Sequence, residues 1–471
     1  MDERAKRLEQ LKTAVIVVLF LTTILLLNLA WRSEGSSRFR LSSVLDFISS
    51  DVWVPEAEQF LVPDSLVYGF GDGTFSVDRS RVQEVYGQVL AAFAGQSSTS
   101  SLLVSEVTDQ QYREMLTGYR SLKVHFPLRI PFGDFCEISG INRSSATDQV
   151  DVVEGFILTA AAPESIFVEG GGRCWRFLSD SGEDLATPLL AFLVRSEPTY
   201  YTAGSMLGND NMAILPLTGN NNLSAAAWES EGADDIERAG REMAESVFGE
   251  NFDFVRRITD SFGNVTYMYG YGERTLTCLA EGSFEYKTEA ADGPDAGFLS
   301  SLQTAIAFTA THGGWGSDRR NLAFCLCGAS EEGSGRSKIY TFEFAQMTGG
   351  VLLLSEDGPA IQVKVCGGEV CAYRRAVVEA SALYAEMQQT ADAANVLAGN
   401  CHLISSVMGS NLLAATSDEE FSFVAEKFRD ASAAYVVTAD EIQPAWVITM
   451  EGGAQFFFGL YDAVPLGFTR Q

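Results

Sequence analysis

An uncharged run of nineteen residues near the start of the chain sets the first limit on what the chain can become. Between Thr13 and Trp31 the sequence reads TAVIVVLFLTTILLLNLAW, without one acidic or basic side chain. At about 1.5 Å of rise per residue, an α-helix of this length nearly spans a hydrocarbon core of about 30 Å. Trp31 stands at the end of the run, where aromatic residues are enriched at membrane surfaces. The segment therefore predicts one transmembrane helix.

A cleaved signal peptide is the alternative, because it also begins with basic residues and an apolar run. This run is longer than the apolar part of a usual signal peptide. The triplet Asn28-Leu29-Ala30 is also a poor cleavage site, since small residues are preferred at both of its ends. An uncleaved signal anchor is the favoured interpretation.

The basic residues around the apolar run indicate its orientation. Four precede it and three follow it. Because basic residues are retained on the cytoplasmic side, we expect residues 1–12 to form a cytoplasmic tail and residues 13–31 to be the signal anchor. The rest of the chain then lies outside the plasma membrane as the extracytoplasmic part of a single-pass protein.

The charge of the whole chain excludes one large class of partners. It carries 62 acidic and 33 basic residues, for a formal net charge of −29. Such a surface repels phosphate backbones, so we expect no nucleic acid among the partners. Only three histidines occur in the 471 residues, which leaves little material for imidazole chemistry.

Beyond the membrane, helical and strand periodicities predict an α+β fold. Strand patterns follow one another without intervening helices, which favours antiparallel sheets over a doubly wound parallel sheet. Glycine-rich hairpins and amphipathic helices alternate along the chain. The predicted strands and hairpins lie at 65–78, 102–107, 122–126, 165–177, 265–287, 322–327, 339–344, 361–374, 434–437, 445–450 and 455–461. The predicted helices lie at 82–93, 108–119, 235–248, 298–309 and 377–397.

Two turn-forming stretches, near residues 203–235 and 292–297, predict domain boundaries. We expect a membrane-proximal segment at 32–60 and an N-terminal α+β domain at 61–202. A middle domain with a β-meander should occupy 203–291. The C-terminal α+β domain should then cover 292–471.

The motifs that usually carry chemistry are missing from the sequence. It contains no G-x-S-x-G elbow, H-E-x-x-H pair or phosphate-binding loop. The glycines from Gly69 to Gly73 predict a tight turn, and Gly208–Asn211 lacks the closing Glu of a calcium loop. Cys401 and His402 are neighbours in sequence, whose side chains rarely face the same way. We therefore expect no enzyme activity, no cofactor and no metal.

Two cysteine pairs leave alternatives open. Cys325 and Cys327 are two apart in a predicted strand and share a face, but zinc would need further ligands. Cys366 and Cys371 bracket a hairpin turn, and outside the cytoplasm they are able to close a disulfide. The alternative is that these thiols are small apolar core residues. His312 follows a predicted helix, where an imidazolium would suit the negative end of the helix dipole.

Three polar side chains lie within the apolar run. Thr22, Thr23 and Asn28 are able to hydrogen-bond to a partner helix in the membrane, each bond contributing about 1 kcal/mol. Asn28 is near the outer end of the run, so contact with headgroup water is the alternative for that residue.

The order of these features resembles the YycH family, in which a short tail and one signal anchor precede an α+β ectodomain. Four segments carry the resemblance. They are LKVHFPLRIPF at 122–132, the helix-strand-strand pattern from 298 to 344, VCAYRR at 370–375, and QPAWV at 443–447 followed by QFFF at 455–458. The last segment is also similar to the C-terminal hairpin of the related YycI proteins. The eight cysteines and the Gly/Asn/Ser-rich insertions depart from the family pattern.

The resemblance implies a membrane-anchored accessory protein of a Gram-positive bacterium. Such a protein tunes a cell-wall sensor histidine kinase of the WalK type, through its transmembrane helix and through contacts outside the membrane. The partners implied are that kinase and a YycI-like companion. Two other functions stay open: an extracytoplasmic ligand-binding or chaperone-like module, which should contain a large apolar cavity, and an anchored cell-wall hydrolase.

Overall fold

The computed structural model describes most of the chain beyond residue 51. The described residues are 52–97, 102–178, 182–191, 193, 195, 199–218, 223, 226–228, 233–289, 293–315, 322–378, 380–382, 389–409, 416–438 and 441–469. None of the helices in these ranges is long and apolar enough to cross a membrane. The predicted tail and signal anchor, and the membrane-proximal segment up to residue 51, lie outside the described residues.

The first half of the described chain forms one antiparallel sheet. Its strands are β1 (Ser65–Phe70), β2 (Thr74–Asp78), β3 (Leu103–Val107), β4 (Arg120–Pro131), β5 (Val152–Thr159), β6 (Ser165–Gly170), β7 (Arg173–Leu178), β8 (Thr199–Thr202) and β9 (Ile214–Thr218). Their spatial order is β3-β7-β6-β5-β4-β1-β2-β8-β9. Most neighbours in space are also consecutive in sequence, and short turns join β1 to β2, β5 to β6 and β6 to β7.

Five helices belong to this half. They are α1 (Val82–Ser97), α2 (Asp109–Thr117), α3 (Phe132–Ser139), α4 (Ala186–Leu190) and α5 (Ala203–Leu207). Helix α2 starts at a capping box, in which the Thr108 side chain accepts from the Gln111 N–H and the Gln111 side chain accepts from the Thr108 N–H. Helix α1 buries Val85, Val89 and Phe93 against the sheet, as the apolar spacing predicts.

The second half forms a larger sheet. Its strands are β10 (Ala226–Trp228), β11 (Arg256–Thr259), β12 (Val265–Tyr269), β13 (Arg274–Cys278), β14 (Phe284–Thr288), β15 (Phe324–Glu332), β16 (Ile339–Thr348), β17 (Val351–Ser355), β18 (Ile361–Cys366), β19 (Glu369–Arg375), β20 (Ala380–Ala382), β21 (Phe428–Val437), β22 (Ile442–Met450), β23 (Gln455–Gly459) and β24 (Pro465–Thr469). The main path runs β11-β12-β13-β14-β19-β18-β16-β17-β21-β22-β10-β20, with β15, β23 and β24 attached to it.

Five helices accompany the second sheet: α6 (Ala233–Phe248), α7 (Phe298–Thr311), α8 (Ala393–Gly399), α9 (Cys401–Val407) and α10 (Ser417–Lys427). Helix α7 buries Leu302, Ala305 and Ile306 and packs against β16, β18 and β19. Helix α6 lies over the meander, where Gly240 brings its main chain close to Cys278: a Cβ on Gly240 would stand 3.0 Å from the Cys278 sulfur.

The predicted α+β class with mainly antiparallel sheets is confirmed. Among the described strands one neighbouring pair, β17 with β21, is parallel, with Leu353 opposite Tyr435. The predicted meander is present as β12–β14. Strand β14 also pairs with β19, where Tyr286 lies opposite Tyr373. The meander therefore shares a sheet with the C-terminal strands. The domain boundaries at 203 and 292 remain predictions.

The predicted helix over 377–397 is wrong in its first part. Residues Ala380–Ala382 form β20 and pair with β10, more than a hundred residues away. Helix α8 begins only after Asp392, whose carboxylate accepts from the N–H groups of Ala394 and Asn395. At Ala380–Ala382 a distant strand pairing therefore overrides the local helical pattern, which nearby sequence cannot reveal.

Candidate functional site

The side chains predicted to contact a partner within the membrane, Thr22, Thr23 and Asn28, lie outside the described residues. Their role stays a prediction. The remaining candidate residues are all described, and each has a defined environment.

Cys366 and Cys371 lie on the β18–β19 hairpin. Both are thiols in this structure, as are the other six cysteines. Cys366 is buried and pairs across the hairpin with Glu369, whereas the sulfur of Cys371 lies 3.4 Å from the Lys364 carbonyl oxygen. Burial raises the pKa of Cys371, and the neighbouring Cys366 raises it further. The disulfide between them remains a prediction.

Cys325 and Cys327 lie on β15, where the register shifts between Leu326 and Gly328. This bulge interrupts the simple alternation at Cys327. Burial raises the pKa of Cys325 to about 11 and raises that of Cys327 well above its ordinary value. Both thiols are therefore protonated at neutral pH in the metal-free protein. Among the described residues, no group of three or more metal-ligating side chains converges.

Cys401 and His402 point in different directions. Cys401 is packed into the core formed by α8–α10 and the C-terminal strands. The His402 side chain is 84% exposed, and its Nδ1 lies 2.9 Å from Glu420 Oε1. A thiol in the core and an imidazole in water cannot act as a nucleophile and base, because those roles need hydrogen-bond contact.

The expected cationic role of His312 is wrong. The residue does cap helix α7, but its ring stacks on Phe308 with centroids 3.9 Å apart. Burial lowers the pKa of His312, although hydrogen bonds with main-chain groups oppose that shift. The imidazole is therefore neutral near pH 7, with its Nδ1 2.7 Å from the Phe308 carbonyl oxygen. The cost of desolvating the charged form outweighs these main-chain hydrogen bonds.

The oxygen-rich loop at Gly208–Asn211 is used for structural contacts. Asn211 donates from Nδ2 to the main-chain oxygens of Phe428, at 2.7 Å, and Ala425, at 3.0 Å. Asp210 accepts from Arg113 at 2.9 Å. The bonds of Asn211 join this loop of the first sheet to the start of β21.

A charged cluster that sequence reasoning missed lies on the face of the first sheet that packs against α2. The ammonium group of Lys123, on β4, lies 2.6 Å from the Glu169 carboxylate on β6, and Tyr112 donates to the same carboxylate at 3.1 Å. Burial alone would lower the pKa of Lys123, but Glu169 outweighs it and raises the value. Lys123 is thus held as a cation and is no general base.

His125 lies two residues further along β4. Its Nδ1 is 2.9 Å from the carboxylate of Asp64, which precedes β1. Burial alone would lower the pKa of His125, but the hydrogen bond and charge of Asp64 raise it overall. In turn, burial would raise the pKa of Asp64, and His125 lowers it overall. The pair is an imidazolium–carboxylate ion pair at mildly acidic pH.

Asp430, on β21 of the second sheet, lies close enough to this ion pair to interact with it electrostatically. Loss of hydration raises the pKa of Asp430; His125 and Arg79 oppose that shift, whereas Asp64 adds to it. The side chains of His125 and Asp64 are 41% and 42% exposed although protein surrounds them. Solvent therefore reaches this pair of side chains, and we call Asp64, His125 and Asp430 the charged triplet.

The outer edge of the second sheet is a different kind of surface. All four residues of β11 are exposed. Around this strand lie four large apolar side chains in contact with water. They are Phe254, 75% exposed, Ile258, 50%, Phe262, 83%, and Tyr271, 102%. We call this surface the β11 edge. Strand β11 was missed in the sequence because its four residues, RRIT, have no apolar alternation.

A shallow depression lies at the N-terminal end of α3. It is lined by Gly133, Asp134, Cys136, Glu137, Ile141 and Arg143 and has a volume of 480 Å³. The depression is open to solvent and contains three charged side chains. This is not the large apolar cavity that a carrier of apolar ligands would need.

The fold can be compared with those of solved structures. No protein-family model matches the chain, and no curated protein matches it. The crystal structure of YycH from Bacillus subtilis is similar, with a TM-score of 0.50 and 11% sequence identity. The similarity covers 88% of this chain and 98% of YycH. At this identity, the comparison shows a YycH-like fold and nothing about chemistry.

A second solved structure, an uncharacterized protein from Eubacterium rectale, matches a smaller part of the chain. The match covers 54% of this chain and 88% of that protein, at 10% identity and a TM-score of 0.32.

Proposed function

We propose that the chain is a membrane-anchored, extracytoplasmic accessory protein that modulates a WalK-type sensor histidine kinase by contact. Residues 13–31 are its signal anchor, with the N-terminus in the cytoplasm. It acts without turnover, and a YycI-like companion is a second partner.

The observation that carries the proposal is the YycH-like fold, which spans 98% of the Bacillus subtilis protein. The order of the sequence segments supports it independently, because the anchor, the strand at 122–132 and the QPAWV hairpin follow one another as in that family. In the structure QPAWV lies on β22, whose Trp446 is buried and donates from Nε1 to the Ala391 carbonyl oxygen at 2.9 Å.

The mechanism requires a difference in affinity between two states of the kinase. A partner that binds both states equally shifts no equilibrium, however tightly it binds. Pairing of helices within the membrane can supply such a difference, through hydrogen bonds from Thr22, Thr23 and Asn28 that contribute about 1 kcal/mol each. Contacts of the extracytoplasmic domains can add to it.

The test is crosslinking in intact membranes that contain both proteins, followed by co-purification. We expect the kinase to be captured with the full chain. The variant Thr22→Leu/Thr23→Leu/Asn28→Leu should capture less, whereas the matched control Val15→Leu/Val17→Leu/Val18→Leu should capture as much as the wild type. Unchanged capture by the first variant contradicts the role of the intramembrane contacts. Failure of the wild type to capture the kinase contradicts the proposed function.

The N-terminal residue of the mature protein provides a second test. An uncleaved anchor leaves the chain intact, so N-terminal sequencing of membrane material should start before Thr13. A mature protein that begins after Ala30 would show that a signal peptide is removed, and a permanent anchor would then be excluded.

A further inference from the structure

The β11 edge has unpaired main-chain groups along a whole strand. Asp260 donates its N–H to the Asn264 carbonyl oxygen, and Gly263 donates to the Asp260 carbonyl oxygen, which defines the turn between β11 and β12. In an antiparallel pair, hydrogen-bonded and non-hydrogen-bonded residues alternate. Ile258 and Arg256 therefore bond to β12, while the N–H and C=O groups of Arg257 and Thr259 point away from the sheet.

No described strand pairs with this outer side, since β11 ends the path of the second sheet. Exposed edges of this kind are usually shielded by charged residues, bulges or a covering segment, because another strand can add to them. Here the charged residues are Arg256 and Arg257. The exposed apolar residues nearby do not shield the edge, because they favour contact with another surface.

The apolar side chains are spread along the edge and not gathered at one tip. Arg256 pairs with Met268, so the segment before β11, with Phe254, and the β12–β13 turn, with Tyr271, lie at the same end. Ile258 is in the middle of the strand, and Phe262 lies in the turn at the other end. The four-residue strand itself spans about 13 Å, and Phe254 and Phe262 lie beyond its two ends. A partner that lies along the strand fits this spread better than a flat membrane meeting one tip.

Tyr271 adds a second sign that this edge has a role in binding. It has a positive φ of 57° and a fully exposed ring. A bulky residue in this conformation is an outlier, and such outliers concentrate at functional sites.

The charged residues of β11 indicate which kind of segment binds at the edge. Arg256 is exposed and has no ion pair among the described residues, while Arg257 bonds to Glu237 of α6 at 2.5 Å. Adjacent residues of a strand face opposite sides of the sheet, so the two guanidinium groups stand on both faces of the edge. The strand itself contains no acidic residue, although the exposed Asp253 and Asp260 lie just before and just after it. Because Glu237 already binds Arg257, Arg256 is the residue of the strand whose charge is available to a partner. It complements an acidic segment.

We propose that the β11 edge binds an extended segment of a partner protein, which adds to the second sheet as a further strand and carries adjacent acidic residues flanked by apolar ones. One acidic residue lies opposite Arg256, the next faces Arg257 in exchange for Glu237 of α6, and an apolar residue lies against Ile258. Main-chain hydrogen bonds to Arg257 and Thr259 supply affinity, and the side chains supply selectivity. This binding does not depend on the partner being the kinase.

A second copy of the chain is a less suitable occupant. A four-residue strand paired with itself buries far less than the roughly 1,200 Å² of a stable interface. Two copies that each carry a net charge of −29 also repel each other.

The test uses the full chain in detergent micelles and two fluorescent peptides, Val-Val-Glu-Glu-Val-Val and Val-Val-Lys-Lys-Val-Val, each blocked at both ends. Fluorescence anisotropy should show at least tenfold tighter binding of the glutamate peptide. Thr259→Pro should abolish that binding, because proline removes an outward N–H without touching the bonds to β12. Its matched control Thr259→Ala keeps the N–H and should bind as the wild type.

A charge reversal provides a test that does not alter the backbone. Arg256→Glu should weaken binding of the glutamate peptide tenfold or more and improve binding of the lysine peptide. The control Arg336→Glu makes the same change at an exposed turn remote in sequence and should have no effect. Melting temperatures of all variants establish that each is folded.

Other outcomes would overturn the proposal. Equal binding of both peptides, or unchanged binding by Thr259→Pro, excludes strand addition at this edge. Binding of the full chain to phosphatidylglycerol vesicles that is lost in Phe254→Ser/Phe262→Ser would assign the edge to the membrane, and a dimer dissociated by Thr259→Pro would assign it to a second copy. Kinase capture that persists when Thr259→Pro has lost the peptide leaves the proposed function standing without this edge.

Discussion

The ring of Phe60 lies 4.7 Å from that of Trp315, centroid to centroid, and joins the start of the described chain to the second sheet. Both side chains are 2% exposed. Gln303, on α7, fixes the same segment: its Nε2 donates to the Pro55 carbonyl oxygen, and its Oε1 accepts from the Ala57 N–H. The chain that follows the predicted anchor is therefore attached to α7 and the second sheet, and it runs from there into the first sheet.

Removal of the Phe60 ring should destabilise the protein. Phe60→Ala leaves a cavity beside Trp315 and Phe344, and we expect it to lower the free energy of unfolding by about 3–5 kcal/mol in denaturant titrations. The matched control is Phe254→Ala, because that ring is 75% exposed; its effect should stay within about 0.5 kcal/mol. Similar losses for the two variants would contradict the packing described here.

Removing one partner of the Lys123–Glu169 ion pair should destabilise the protein more than replacing both partners. Lys123→Met leaves the carboxylate of Glu169 largely buried without its cation, and we expect a loss of about 3 kcal/mol in the free energy of unfolding. The double variant Lys123→Met/Glu169→Leu should recover most of that loss. Lys287→Met, at an exposed pair with Glu285, is the control and should change little. A double variant as unstable as the single one would argue against this explanation.

The Asp64–His125 pair predicts a pH dependence of stability. The raised pKa of His125 stabilises the fold below about pH 6.5, the ordinary value, and this contribution is lost as pH rises through the folded-state pKa. The lowered pKa of Asp64 stabilises the fold above about pH 3.9, and this contribution is lost as pH falls through its folded-state pKa. The ion pair should therefore contribute most between these values.

The measurement is the difference in free energy of unfolding between the wild type and His125→Asn across pH 3 to 9. We expect the difference to be largest from about pH 4 to 6.5 and to reach about 1 kcal/mol or less, because water reaches both side chains. His402→Asn, at an exposed ion pair, is the control. A difference that stays constant over the whole range would show that the Asp64–His125 pair does not titrate as described.

The Cys366–Cys371 disulfide can be tested directly. Protein purified from the extracytoplasmic side should show the loss of two hydrogens by intact mass, and digestion should yield one crosslinked hairpin peptide. Cys371→Ser should prevent the mass change. If the wild type carries two free thiols at these positions after isolation under oxidising conditions, they are core residues, as in the alternative interpretation.

Local sequence patterns predicted much of the fold. The hairpins β1–β2, β6–β7 and β18–β19 lie where turn glycines interrupt strand patterns, and helix α7 lies where small and apolar residues recur with helical spacing. Such features depend on residues within one or two turns of each other, so the sequence contains the information.

The candidate sites depended on contacts between distant residues. The charge of His312 was mispredicted because the helix end was visible in the sequence, whereas the stacked Phe308 ring and the burial that neutralise it were not. The charged triplet brings together Asp64, His125 and Asp430 from three places in the chain. With 62 acidic residues in the sequence, nothing marked Asp64 and Asp430 as neighbours.

The sequence by itself determined the uncharged run from Thr13 to Trp31, the acidic charge and the α+β class, because each follows from composition or from periodicity over a few residues. Only the tertiary structure decided that β20 pairs with β10, that Lys123 meets Glu169, and that the outer edge of β11 stays without a partner strand among the described residues. Strand pairing and burial depend on which surfaces meet after the chain has folded back on itself, and one strand pattern is compatible with many such partners.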